Sequence, residues 1–358
     1  MSAPALPSSL REKIGQMLLL GFRGSTAADT ALIVRDLREH AVGSVILFDL
    51  DMTSTIDSGA PGKRNIESPA QLRALVTHLQ SHACLPLLVA IDQEGGRVNR
   101  LKPAYGFPET ISAEELGQRD DLAFTRAQSE ATARTLAAAG INFNLAPVVD
   151  LDANPTNPII KGKRRSFSAD PEIVARHAAE WVRGHRAHGV LSCAKHFPGH
   201  GSASGDTHLG LVDVTATWHE RELTPFARLI EVGLGEAVMS AHVFNAHLDP
   251  ALPATLSRAV ITGLLREKLG FRGVVLSDDM EMKAISAHYG LENAVVSAVN
   301  AGVDLLCFGN NMSYDPDIAP KVIALIERAI AAGKIPATRI DESCARVLAL
   351  KRSAGLIP

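Results

Sequence analysis

Residues 190–210 read VLSCAKHFPGHGSASGDTHLG. The apolar run that opens this stretch ends on Lys195 and His196, after which glycine, proline and serine break the pattern. A short apolar run bounded by such punctuation is a buried strand. A lysine and a histidine at its C-terminal end acquire meaning only if other strands end the same way, and they do. Asp92 ends LLVAID, Asp150 ends APVVD, His242 closes VMSAH and Asp278 ends GVVLSD. Taken alone, an aspartate after a strand is as readily the N-cap of the next helix, which for Asp150 is an equal alternative; SDDM leaves a second aspartate free for that task. Taken together, ionisable groups at the C-terminal ends of strands from distant parts of the chain converge in a closed barrel, whose catalytic face is built from those positions. A doubly wound open sheet would gather them around one crevice only. The predicted fold is therefore α/β, a TIM-type (β/α)8 barrel.

On either side of this stretch, apolar runs rich in Val, Ile and Leu alternate with longer helical patterns, as in a parallel sheet. The strand candidates are 42–48, 85–92, 141–150, 190–196, 237–244, 274–278 and 303–309, with an eighth that is weak or irregular. Ser68-Pro69-Ala70-Gln71 has the form of a capping box with proline at the first helical position. Further helices are expected over 170–185, 224–232 and 321–332. No repeat, low-complexity tract or linker divides the chain, so residues 1–358 read as a single domain with its core at about 12–352.

The 358 residues are 46% hydrophobic and 21% charged, with a formal net charge of −3. That balance suits a large core and leaves no basic stripe for nucleic acid or an anionic membrane surface. Cys84, Cys193, Cys307 and Cys344 are far apart and form no CxxC pair, which reads as buried free thiols in a reducing compartment. The N-terminus lacks a basic segment, and the apolar run 17–20 is too short for a signal core or a membrane span. Cytoplasmic residence is expected.

The glycine-rich half of the opening stretch has three readings. His196, His200 and His208 are metal-ligand types, but no HxxxH, HEXXH or cysteine partner accompanies them, so no metal is expected. A phosphate loop would need a GK[ST] ending, and here the glycines run into Asp206. The third reading uses Asp206-Thr207-His208: in an extended segment residues two apart project to the same side, so the carboxylate can hold the imidazole and favour its protonated form. That is a general acid with its partner, on a loop whose glycines let it move.

Several runs together resemble glycoside hydrolase family 3, in its branch of single-domain bacterial β-N-acetylhexosaminidases. They are AIDQEGGRVNRL (90–101), GKRRSFSADPE (162–172), KHFPGHG with GDTHLG downstream, and VVLSDDMEMKAI (274–285). The resemblance implies a barrel in which Asp278 is the nucleophile that forms a covalent glycosyl-enzyme and His208 the acid/base with Asp206 as its partner. It implies that Asp92, Arg165, Lys195 and His196 hold the sugar. It further implies a cofactor-free retaining exo-β-N-acetylglucosaminidase acting on peptidoglycan-derived muropeptides, a small carbohydrate substrate. The residue types agree, because retaining hydrolysis needs one group to attack the anomeric carbon and another to protonate the departing oxygen. A phosphorylase, a β-glucosidase and a barrel that binds sugar without cleaving it are the alternatives. The chain departs from the family pattern in an insertion at 49–63, on the catalytic rim, whose Asp49, Asp51 and Asp57 lack the spacing of a calcium loop. It also lacks a proline shortly after His208.

Overall fold

The computed structural model describes residues 6–53 and 62–358. Eight parallel strands form one sheet: β1 (Leu18–Gly21), β2 (Ser44–Leu47), β3 (Leu88–Ile91), β4 (Phe143–Asn144), β5 (Leu191–Phe197), β6 (Ala237–Ser240), β7 (Val274–Ser277) and β8 (Leu306–Phe308). Sequence neighbours pair throughout, and β8 returns to pair with β1. The remaining gap, between β7 and β8, is spanned by a Leu276–Leu305 bridge and by Ser277 N–H donating to the Leu305 carbonyl at 3.0 Å. The sheet thus closes into the predicted barrel.

Period-two alternation sorts the strand residues. Leu19, Ile46, Ala90, Phe143, Cys193, Met239, Leu276 and Cys307 form one buried cluster, the filling of the barrel. Their neighbours Leu18, Val45, Val89, Val238, Val275 and Phe308 belong to the larger cluster between sheet and helices. The last helix, Ala337–Ser353, packs Val347 and Leu350 against the inner set. Local signals hold as well. Ser68 accepts from Gln71 N–H and the Gln71 side chain reaches back to Ser68, starting the helix Pro69–His82. Asp170 caps the helix Pro171–Arg186.

The eighth strand is the run Leu18–Gly21, largely the apolar run 17–20 that is too short for a signal core or a membrane span; at four residues directly after the helix Leu10–Gln16, it shows no period of its own. The candidate 141–150 yields only the two-residue β4. Beyond it the chain still follows β5, through Cys193 N–H to the Ala146 carbonyl and Val149 N–H to the Lys195 carbonyl, but Pro147 brings no N–H and regular pairing lapses. The candidate 237–244 breaks after Ser240; Val243–Phe244 instead pairs with Val212–Asp213, outside the barrel. Cys193, Cys307 and Cys344 are buried free thiols as expected, whereas Cys84 is exposed at the turn after the helix Pro69–His82. Of the insertion, residues 54–61, including Asp57, lie outside the described residues. Its two ends form an antiparallel pair, Leu50–Asp51 with Gly62–Lys63. Among the described residues no helix is long and apolar enough to cross a membrane.

Candidate active site

Every strand-end residue singled out in the sequence reaches the C-terminal mouth of the barrel. Lys195, at the end of β5, is 2% exposed and bridges two carboxylates: its Nζ lies 2.6 Å from Asp92 Oδ1 and 2.7 Å from Glu94 Oε1. Arg165 grips Glu94 with two parallel bonds, Nε to Oε2 at 2.7 Å and Nη2 to Oε1 at 2.8 Å. A bidentate pair fixes direction as well as charge. Burial opposes ionisation of Glu94, yet Arg165 and Lys195 hold its carboxyl far below the usual range. The same pairing keeps Lys195 and Arg165 charged against their own burial.

His196 turns to the next acid. Its Nδ1 donates to Asp150 Oδ2 at 2.6 Å, its backbone N–H reaches the same carboxylate, and its Nε2 accepts from Arg165 Nη2 at 3.3 Å. The two partners define the tautomer. Lys195 and His196, adjacent in sequence, can both serve the mouth because the register of β5 against β6 shifts between Lys195 and Phe197, and an irregularity of this kind re-aims side chains. Asp150 also accepts from His200 N–H at 2.7 Å. It is therefore the orienting group of His196, and not a helix cap.

Asp278 follows β7 and differs from the other acids of the mouth. Among the described residues it pairs with no lysine or arginine, and its side chain accepts from Asp279 N–H at 2.8 Å. Burial would push its carboxyl up, but His242, His196 and His208 nearby hold it at about 2. The next residue, Asp279, behaves oppositely: burial and Glu281 push it up to about 7, and Oδ1 is used by the Glu281 and Gly309 N–H groups. A Cβ on Gly309 would lie 2.3 Å from Asp279 Oδ2, so glycine is required for that approach. Of the two aspartates in SDD, the first is thus ionised and open, the second engaged.

Asp206 and His208 meet as their spacing implies, by a different geometry. The segment is a turn, closed by Leu209 N–H to the Asp206 carbonyl at 3.0 Å, and not extended. Asp206 Oδ1 takes both the His208 backbone N–H at 2.9 Å and ring Nδ1 at 2.7 Å, the habit of an aspartate that bonds backbone two residues on. Burial would lower His208; the Asp206 bond and the charge of Asp278 raise it overall. The His208 bond in turn holds Asp206 down at about 2. With Nδ1 committed, Nε2 is left for a substrate.

An open carboxylate, a carboxylate-backed histidine on a loop, and a paired cluster of acids and bases can perform nucleophilic displacement at a polyhydroxylated substrate with proton transfer to its leaving group. Residues 9–350 match the N-terminal domain of glycosyl hydrolase family 3. The chain belongs to that family. Among the family 3 relatives, beta-hexosaminidase of Xylella fastidiosa is 39% identical over 81% of this chain and 82% of its own length. Beta-hexosaminidase A of Pseudoalteromonas piscicida is 32% identical over 98% of this chain. The solved family 3 β-N-acetylglucosaminidase from Paenibacillus sp. str. FPU-7 superposes with a TM-score of 0.87 at 38% identity over 98% of this chain. This chain spans 62% of the Pseudoalteromonas relative and 63% of the Paenibacillus one.

Of the charged residues at this mouth, the sequence alone assigns no role to Glu94 or Arg100, reads Asp49 only as an acid of the insertion, and sets Asp150 beside a capping alternative. Glu94 stands two residues after Asp92 in IDQEGG; the available signal was a charge count, since two buried cations, Lys195 and Arg165, need more than one acid. Asp49, just past β2, is buried against Lys102 and lies 3.8 Å from Arg100, which reaches Asp92 at 3.6 Å. Asp51 pairs with Arg23 at 2.8 Å. These acids of the insertion are engaged in ion pairs. His196 and His200 stand with ring centroids 6.0 Å apart, and among the described residues no three His, Cys, Asp or Glu side chains converge as metal ligands do.

Proposed function

We propose that this family 3 chain is a retaining exo-β-N-acetylglucosaminidase. The observation that carries the reading is the contrast within the mouth: among the described residues Asp278 is an ionised acid met by one backbone N–H and by no side-chain partner, and His208 has one ring nitrogen backed by a carboxylate and the second one open. In the first step an Asp278 oxygen attacks the anomeric carbon, the glycosidic C–O bond breaks, and His208 Nε2 gives its proton to the departing oxygen. In the second, His208 takes a proton from water, whose oxygen displaces Asp278 and releases the sugar with its configuration retained. Asp206 keeps the imidazole protonated and in one orientation. Asp92, Lys195, His196 and Arg165 hold the sugar, and Glu94 and Asp150 hold those residues. The names of the relatives support the sugar specificity. A cell-wall muropeptide with terminal N-acetylglucosamine, met in the cytoplasm, follows from the family resemblance as the natural substrate.

Hydrolysis of an aryl β-N-acetylglucosaminide beside the matching β-glucoside, in phosphate-free buffer, tests the activity. The expected result is turnover of the first only, with free sugar as product. Turnover of neither, or sugar 1-phosphate as main product once phosphate is added, would overturn it.

A further inference from the structure

Between Asp206 and His208 stands Thr207, and it faces the other way. The flanking side chains are 21% and 44% exposed; Thr207 is 1% exposed. Its carbonyl accepts from Ala284 N–H at 3.2 Å, on the helix Lys283–Ala301 that follows Asp278. Its hydroxyl meets His200 Nε2 at 3.4 Å. His200 is equally buried, its Nδ1 has no partner among the described residues, and its backbone N–H is held by Asp150, the acid that orients His196. One buried threonine thus links the stem of the loop, His200 and through it Asp150, and the helix that follows Asp278. Just beyond, Leu209 and Leu211 are 73% and 45% exposed, and the next anchor is Val212–Asp213, paired with Val243–Phe244.

We propose that Thr207 and His200 are positioning residues of the acid/base: their contact sets where the Asp206–His208 pair stands relative to Asp278. They touch no substrate in this role. The inference rests on His208 being the acid, as assigned above. Burial lowers His200 to about 4, so near neutral pH its ring is uncharged and one nitrogen can accept from the Thr207 hydroxyl. Proton transfer needs donor and acceptor within about 2.6–3.2 Å, whereas attack by Asp278 does not depend on the loop. A loosened anchor therefore harms substrates that need a proton on the leaving oxygen and spares those that do not.

The test is kcat/KM across aryl β-N-acetylglucosaminides from dinitrophenyl, which departs unprotonated, to unsubstituted phenyl. It compares wild type, Thr207→Val, Thr207→Ser, His200→Phe and His208→Ala, with thermal unfolding of each variant. Thr207→Val is expected to lose roughly 10- to 100-fold on phenyl and little on dinitrophenyl. His200→Phe should repeat that slope, and Thr207→Ser, which keeps the hydroxyl, should restore the wild-type one. Equal loss on every aglycone, or no loss, in Thr207→Val would overturn the positioning role. His208→Ala separates the two claims: a steep slope there with a flat one in Thr207→Val removes the anchor alone, and a flat slope in His208→Ala removes the acid assignment and the anchor with it.

Discussion

The two ends of the barrel each bury a cluster of charge, and they are built on opposite rules. At the N-terminal end, Asp304 precedes β8. Its Oδ1 accepts from Arg339 at 2.7 Å, Ser343 at 2.9 Å and Arg346 at 3.0 Å; its Oδ2 accepts from Arg266 at 2.5 Å and Val275 N–H at 3.0 Å. Both oxygens are saturated, and the cations come from two different helical segments, which the acid ties to the sheet. At the C-terminal end, Asp278 receives, among the described residues, one backbone N–H and no lysine or arginine. The lesson is that burial of an acid does not by itself mark function. A saturated acid joins elements, whereas one left ionised and unsaturated beside saturated neighbours is held ready for another atom.

The largest expected effects would break this comparison if they failed to appear. Asp278→Asn should lower hydrolysis by about 10⁴-fold or more without lowering the unfolding temperature, because no ion pair is lost. Asp304→Asn should do the reverse. It leaves three arginines around a neutral amide and costs about 3–5 kcal/mol of stability, while kcat per folded molecule is unchanged. Denaturant unfolding and active-site-normalised rates on the two variants read both quantities. A loss of stability in Asp278→Asn matching that in Asp304→Asn would dissolve the distinction.

A smaller effect sharpens the account of the mouth. In the proposed role of acid His208 must be protonated, so the alkaline limb of kcat/KM is expected to follow its ionisation. Asp206 raises that ionisation against burial. Replacing Asp206 by Asn removes a negative charge that favours the imidazolium, so the limb moves to lower pH. The pH profile of kcat/KM checks it; an unmoved limb would mean that Asp206 does not hold the proton.

How much of this was legible follows from which signals are local. Strand ends such as VLSCAKH and GVVLSD announce themselves, because an apolar run stops abruptly at an ionisable group; seven of the eight barrel strands and the place of Lys195 and Asp92 at the mouth are legible from that, but not that the two pair with each other. β1 is not legible: Leu18–Gly21 is four residues long and starts two residues after the helix Leu10–Gln16, with no glycine–proline punctuation between them to mark a change of period. The Asp206–Thr207–His208 spacing correctly joined a carboxylate to an imidazole, but by the wrong conformation, because an aspartate that bonds backbone two residues on makes a turn of a segment that spacing alone reads as extended. Glu94 and the orienting role of Asp150 depend on which neighbour each acid reaches across the barrel. Those partners, Arg165 and His196, lie 71 and 46 positions away. Only the fold brings them together.

The central claim is that Asp278 is the atom donor to a covalent intermediate. The direct measurement is mass spectrometry of the protein after incubation with a fluorinated N-acetylglucosaminide whose glycosyl-enzyme turns over slowly, followed by peptide mapping. The account predicts one sugar added per chain, on the peptide that carries Asp278, and none in Asp278→Asn. A label on the peptide carrying Asp92 and Glu94, or steady hydrolysis with no label at all, would contradict it.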